Sequence, residues 1–270
     1  MITSITTVTT LDLPPLEPYR TLKRPLDHLR RGIFVAEGEK VVVRLLQSGV
    51  RTYSLLLTER WFERYRGELE RHTDPLDIYI GERDLINTIV GHDLHQSMMA
   101  VAKVPAPSSI VELTDMLRVR KTATFALLDG IVNAENMGVI LRNCAALGVE
   151  AVLVLPSCCD PFLRRSVRNS MGNVFSLRIA RPERPADIEP LRQAGMKFLA
   201  ADPKDGSRDV RTIPLPSLRC LVLGAEGNGI STGVLERCDG SVMVPMAPGV
   251  DSLNVASASA VLLYELARRR

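Results

Sequence analysis

Short apolar runs alternate along this chain with longer stretches in which apolar residues recur at helical spacing. From Tyr19 onward the pattern predicts strands over 34–37, 54–58, 77–80 and 100–104. Between them it predicts a helix over 39–47 stopped by Gly49, a charged helix over 59–71 and a helix over 82–90. Residues 1–18 are rich in Thr and Pro without useful periodicity and are expected to form a flexible arm. Residues 105–121 are expected to be a linker, because Pro105 and Pro107 interrupt regular structure and only a short helix near 111–117 follows. Beyond it, strands are predicted over 124–128, 151–155, 174–178, 197–201, 220–223 and 241–244. Helices are predicted over 136–147, 161–171, 187–194, 232–237 and 253–268. This rhythm implies two α/β domains, a smaller one over 19–104 and one with a parallel sheet over 122–270.

Composition narrows the class. The chain has 270 residues, 46% hydrophobic and 24% charged, which suits a globular protein with a substantial core. A net charge of +3 permits a nucleic-acid partner without requiring one, since binding depends on local clustering. The five cysteines, Cys144, Cys158, Cys159, Cys220 and Cys238, have no CxxC spacing and read as reduced thiols without a metal. No apolar run approaches the roughly 18 residues of a spanning helix. The N-terminus lacks the basic start and apolar stretch of a secretory signal, so a cytoplasmic location without membrane attachment is expected.

Three segments carry candidate chemistry. Asn136-Met137-Gly138-Val139-Ile140-Leu141-Arg142 follows the apolar strand FALLDG and opens a helix, where free backbone N–H groups favour negative charge. Leu223-Gly224-Ala225-Glu226-Gly227-Asn228-Gly229 directly follows another strand, and its glycines let backbone approach a ligand closely. Its order, G-x-x-G-x-G, differs from the dinucleotide fingerprint. The third segment, from Val244-Pro245-Met246 to Ser252-Leu253-Asn254-Val255, ends a strand and starts a small-residue helix, with Asp251 or Ser252 as the expected cap. Taken singly, each could be an ordinary cap or turn.

In this order the three segments resemble the SpoU/TrmH family of the SPOUT superfamily, RNA ribose 2′-O-methyltransferases. The pattern N-x-G-x-x-x-R falls on Asn136, Gly138 and Arg142, and G-x-E-G on Gly224, Glu226 and Gly227. The P-M…S-L-N-V pattern falls on Pro245, Met246, Ser252, Leu253, Asn254 and Val255, and Arg168–Phe175 looks like a fourth family segment. The resemblance covers 124–270, and Phe34-Val35-Ala36-Glu37-Gly38-Glu39-Lys40 is similar to the start of the ribosomal-protein-like (L30e-like) substrate-binding domain often attached to the family. A Gln-Gly pair expected near Gln96 is absent, Ser97 standing in its place.

The resemblance implies a knotted (trefoil) α/β methyltransferase domain, a homodimer and S-adenosylmethionine as cofactor. Arg142 is then the central catalytic candidate, with Asn136, Glu226, Ser252 and Asn254 as positioning partners. Gly224, Gly227, Val244, Met246 and Leu253 are the cofactor-binding candidates. Guanidinium is effectively always protonated, so Arg142 is expected to act as a cation rather than as a base. Candidate RNA contacts are Arg164, Arg165 and Arg168, with Arg178, Arg181 and Arg184 extending the track, and Arg30 and Arg31 in the first domain. Ribosomal RNA is favoured over tRNA because a separate first domain is present.

Other readings carry less. Gly229-Ile230-Ser231-Thr232-Gly233 matches the hydrolase motif G-x-S-x-G, but that fold needs a histidine after the serine and the last one is His95. His92, Asp93 and His95 lack further ligands at metal spacing. An RNA-binding or ribosome-assembly protein that has lost catalysis stays open, as does a base methyltransferase.

Overall fold

The structure, a computed structural model, describes residues 1–90, 98–204 and 206–267. The chain divides into two compact units. One comprises Met1–Pro105 with Phe162–Phe175; the other comprises Ala106–Pro161 with Ser176–Arg270.

The first unit begins with β1 (Ile2–Val8), where a flexible arm was expected. Its β-branched residues suit an extended backbone, and it pairs in parallel with β4 (Leu76–Gly81) at the sheet edge. An edge strand exposes most of its side chains, which removes the alternation by which a strand is recognised. Ser4 Oγ donates to Asp77 Oδ1 at 2.6 Å, fixing the pairing. Next come α1 (Glu17–Arg20), α2 (Pro25–Arg30), β2 (Ile33–Glu37), α3 (Glu39–Gln47), β3 (Thr52–Leu57) and α4 (Glu59–Glu70). After β4 follow α5 (Arg83–Val90) and β5 (Met98–Lys103). The sheet order is β1-β4-β3-β5-β2, with β5 antiparallel to both neighbours. Leu16, Tyr19, Leu56, Ile86 and Met99 pack a core on one side of it.

In the second unit, α6 (Ile110–Val119) occupies most of the expected linker. Ser109 caps it reciprocally with Glu112, and Leu113 and Leu117 join the core beside Ile188 and Leu191. The prolines stop the preceding strand but leave this capping box free to start a helix. Then follow β6 (Ala123–Leu128), α7 (Ala134–Ala146) and β7 (Ala151–Val154). The next segment contributes α8 (Arg164–Asn169) to the first unit. A 3-10 turn over Asn173–Ser176 stands where a strand was expected, and β8 (Arg178–Ala180) follows it. The chain continues through α9 (Glu189–Gln193), β9 (Lys197–Ala201), β10 (Arg208–Asp209), β11 (Leu218–Leu223), α10 (Thr232–Leu235), β12 (Gly240–Met243) and α11 (Val255–Ala267).

All strand pairs of the second sheet are parallel, in the order β10-β12-β9-β11-β6-β7-β8. β6 and β7 are wholly buried, as expected of parallel strands covered on both faces. Such a sheet binds ligands at the carboxyl ends of its strands.

Candidate active site

At the carboxyl ends of β9, β11 and β12 lies a cavity of about 420 Å³, within the size range of small-molecule sites. The loop after β11 forms one wall, and its three glycines act differently. Gly227 and Gly229 have φ of +90° and +68°, conformations that glycine adopts at little strain. At Gly224 the constraint is space: a Cβ there would stand 2.4 Å from the Gly229 carbonyl carbon. Ala225 and Gly229 exchange backbone hydrogen bonds at 2.9 and 3.0 Å, closing the loop on itself. Gly224, Gly227, Val244, Met246 and Leu253, the five cofactor candidates, all line this cavity, as do Ser252, Glu226 and Asn254.

Three polar candidates meet at its edge. Asn136 and Asn254 both donate through their side-chain amides to Glu226 Oε1, at 3.0 and 2.5 Å. Asn254 also donates to Asn136 Oδ1 at 3.2 Å. The Asn254 Oδ1 accepts from the backbone N–H groups of Ala256 and Ser257, so Asn254 itself caps α11, in place of Asp251 or Ser252. At the start of α7 the cap is Asn133, whose Oδ1 accepts from Glu135 N and Asn136 N; Asn136 lies inside the first turn. Two capped helices thus present one asparagine each to the same carboxylate. Glu226 is exposed, and among the described residues its Oε2 makes no hydrogen bond.

Arg142 is not among the hydrogen-bond partners of this cluster. It is exposed on α7 and has no ion-pair partner among the described residues. The neighbouring Asn143 turns inward to Ala256 O and Ser259 Oγ, tying α7 to α11. Ser252 lines the cavity without bonding to the asparagine cluster.

Sequence reasoning missed Asp129, the buried residue after β6. Its carboxylate accepts from Ser157 Oγ and Ser231 N, both at 2.8 Å, while its own N–H donates to Leu223 O. One side chain therefore joins the ends of three strand connections beneath the glycine loop. The signal, an Asp at the end of an apolar strand, was present in Leu127-Leu128-Asp129-Gly130.

The arginines are distributed otherwise than a continuous RNA track would need. Arg164 and Arg168 both pair with the buried carboxylate of Glu37. Arg181 pairs with Asp160, Arg184 with Asp187, Arg30 with Asp27 and Arg31 with Glu17. Arg165 and Arg178 are exposed. All five cysteines are free thiols, and burial pushes Cys144 up to about 12. The described residues hold no cluster suited to a metal ion and no helix long and apolar enough to cross a membrane. His92, Asp93, His95, Gln96, Ser97 and the terminal arginines 268–270 lie outside the described residues.

A glycine loop, a cavity at parallel strand ends and a carboxylate gripped by two helix-start asparagines define a small-molecule-binding site of an α/β protein. The model of the SpoU rRNA Methylase family matches residues 123–264, and the chain belongs to that family. It is 34% identical over 266 residues to an uncharacterized tRNA/rRNA methyltransferase of Mycobacterium tuberculosis, spanning 95% of this chain and 90% of that protein. It is 25% identical to the 23S rRNA (guanosine(2553)-2′-O)-methyltransferase RlmP of Bacillus subtilis, over 93% and 95% of the two chains. The AdoMet-bound rRNA methyltransferase of Sinorhizobium meliloti superposes with a TM-score of 0.83 at 28% identity, covering 98% of both chains.

Proposed function

We propose that this protein transfers a methyl group from S-adenosylmethionine to a ribose 2′-hydroxyl of ribosomal RNA. The observation that carries the reading is the Asn136–Glu226–Asn254 cluster at the edge of a 420 Å³ cavity. The cavity suits such a cofactor: Gly224 keeps the backbone close, apolar side chains line the floor and a few polar groups mark the ends. S-adenosylmethionine supplies an electrophilic methyl on a positively charged sulfur. The protein's task is then alignment of the attacking oxygen and control of its proton.

Glu226 Oε1 is fixed by two amides, which leaves Oε2 to accept a hydrogen bond from the ribose hydroxyl. Arg142, exposed and without an ion-pair partner among the described residues, is suited to hold an RNA phosphate and stabilise the developing alkoxide. Arg165 and Arg178, both exposed, are proposed as further RNA contacts. Arg30 and Arg31 can exchange exposed carboxylate partners for phosphate, whereas Arg164 and Arg168 hold Glu37. The first unit serves as the RNA grip.

The preference for ribosomal RNA rests on the activity of the Bacillus subtilis relative and on the presence of the first unit. A homodimer is part of the proposal, supported by the exposed Val261 and Tyr264 on α11. So is a knotted path for β12 and α11, which rests on family membership, and a cytoplasmic location, which follows from the substrate.

The test is transfer of labelled methyl from S-adenosylmethionine into ribosomal RNA, followed by digestion to nucleosides. A labelled 2′-O-methylnucleoside is expected. No incorporation would favour an RNA-binding protein without catalysis, and label on a base would overturn the ribose assignment. In the same assay Arg142→Ala should lower transfer by about 10²–10³ while keeping cofactor affinity; normal transfer would remove Arg142 from the mechanism.

A further inference from the structure

The cavity has a wall that none of the three family segments supplies. β9 ends at Ala201, and Asp202, Pro203 and Lys204 continue along the cavity. In the sheet, β9 and β6 flank β11 on opposite sides. Asp202 and Lys204 therefore enter from the β9 side, while Asn136 reaches Glu226 from the helix that follows β6.

Asp202, Lys204 and Glu226 are the charged side chains among the residues lining the cavity. Glu226 is engaged by Asn136 and Asn254, which leaves the other two to distinguish the polar ends of a ligand. The backbone of Asp202 is fixed, its N–H donating to Val242 O at 3.1 Å. Its carboxylate is 14% exposed and meets Lys204 Nζ at 3.3 Å, while the lysine side chain is 67% exposed. An ion pair this exposed on one side contributes little to folding, so stability does not account for a carboxylate held at this strand end.

We propose that Asp202 recognises the ribose diol of bound S-adenosylmethionine and that Lys204 takes its carboxylate, an assignment resting on the methyltransferase reading above. Two carboxylate oxygens match two adjacent hydroxyl donors, an arrangement also used by acidic residues at strand ends in dinucleotide-binding folds. The cofactor's ammonium is the competing partner for Asp202. It would have to sit beside the Lys204 ammonium, where like charges repel, whereas an uncharged diol can share the carboxylate with the lysine. Lys204, with three donors on a flexible four-carbon stem, can keep one on Asp202 while another takes the cofactor carboxylate.

The experiment is calorimetric titration of wild type, Asp202→Asn and Lys204→Met with two probes. S-adenosylhomocysteine carries the diol and the amino-acid end; 5′-methylthioadenosine carries the diol alone. Asp202→Asn should weaken both by the same factor, about tenfold. Lys204→Met should weaken S-adenosylhomocysteine about tenfold and leave 5′-methylthioadenosine within about twofold. If Asp202→Asn weakens only S-adenosylhomocysteine, the carboxylate reads the ammonium and the diol assignment is overturned. Equal effects of Lys204→Met on both probes overturn its half. Thermal midpoints of the ligand-free variants should match wild type, because the Asp202 backbone bond survives both changes; a marked drop would make the pair structural and sink the proposal. Binding by wild type with unchanged variants sinks this proposal alone. A wild type that binds neither probe overturns the cofactor reading itself.

Discussion

Glu37 and Glu226 place the same functional group in opposite circumstances. Glu37, at the end of β2, has a side chain only 2% exposed and is held by Arg164 and Arg168. Glu226, in the glycine loop, is exposed and held by two neutral amides. A buried carboxylate needs partners, two guanidinium groups for Glu37 or hydroxyl and backbone donors as at Asp129, because unpaired burial costs several kcal/mol. An exposed one is positioned by neutral donors and keeps its charge for an incoming group. The first arrangement serves architecture and the second leaves chemistry available. A cluster of arginines in sequence can therefore serve either purpose, and its partner decides.

The comparison breaks most visibly in catalysis. Glu226→Gln keeps the size of the side chain and an oxygen for the two asparagine amides, but replaces the free Oε2 acceptor with an NH2 donor and removes the charge. Methyl transfer to ribosomal RNA should fall by about 10²-fold, with the thermal midpoint within a degree or two of wild type. A variant that loses stability and activity together would show that Glu226 is as structural as Glu37.

Glu37→Ala tests the other half. It leaves two arginines of the 162–175 segment without their carboxylate, while Phe34 keeps its packing on Phe162 and Phe175. Since both arginines retain solvent access, a loss of about 2–3 kcal/mol is expected, below the full value for a buried pair. Denaturant unfolding measures it. A midpoint unchanged from wild type would mean that the pairing does not hold the 162–175 segment in the first unit.

The same contrast explains what could be read in the sequence. Helices 39–47 and strand 197–201 were legible to the residue because both are half or fully buried with clear boundaries. β1 was hidden because an edge strand with exposed threonines has no alternation, whereas the helix expected near 111–117 is present as α6, slightly longer at both ends, its start fixed by the Ser109 cap. The three loops around the cavity were visible through the glycines and asparagines that strained or capped backbone demands. That Asn136, Asn254 and Glu226 bond to one another was not, since residues 90 and 118 positions apart along the chain meet only through strand order. The pairing of Arg164 and Arg168 with Glu37 was hidden for the converse reason: local charge density is visible in sequence, and a carboxylate 127 and 131 positions away is not.

The smallest effect separates cap from cluster at the start of α7. Asn133 accepts from two backbone N–H groups and Asn136 reaches outward to Glu226. Asn133→Ala should cost about 1 kcal/mol, the usual loss for a removed N-cap. It should also lower transfer modestly, because the first turn that aims Asn136 would fray. Asn136→Ala should do the reverse, sparing stability and lowering transfer more. Thermal unfolding and methyl transfer measured on both variants give four values, and the cap and cluster roles require their ranks to cross. If Asn136→Ala proved the more destabilising change, the Asn136–Glu226–Asn254 bonds would be a clasp between α7 and the glycine loop, with Glu226 belonging to the same architectural class as Glu37.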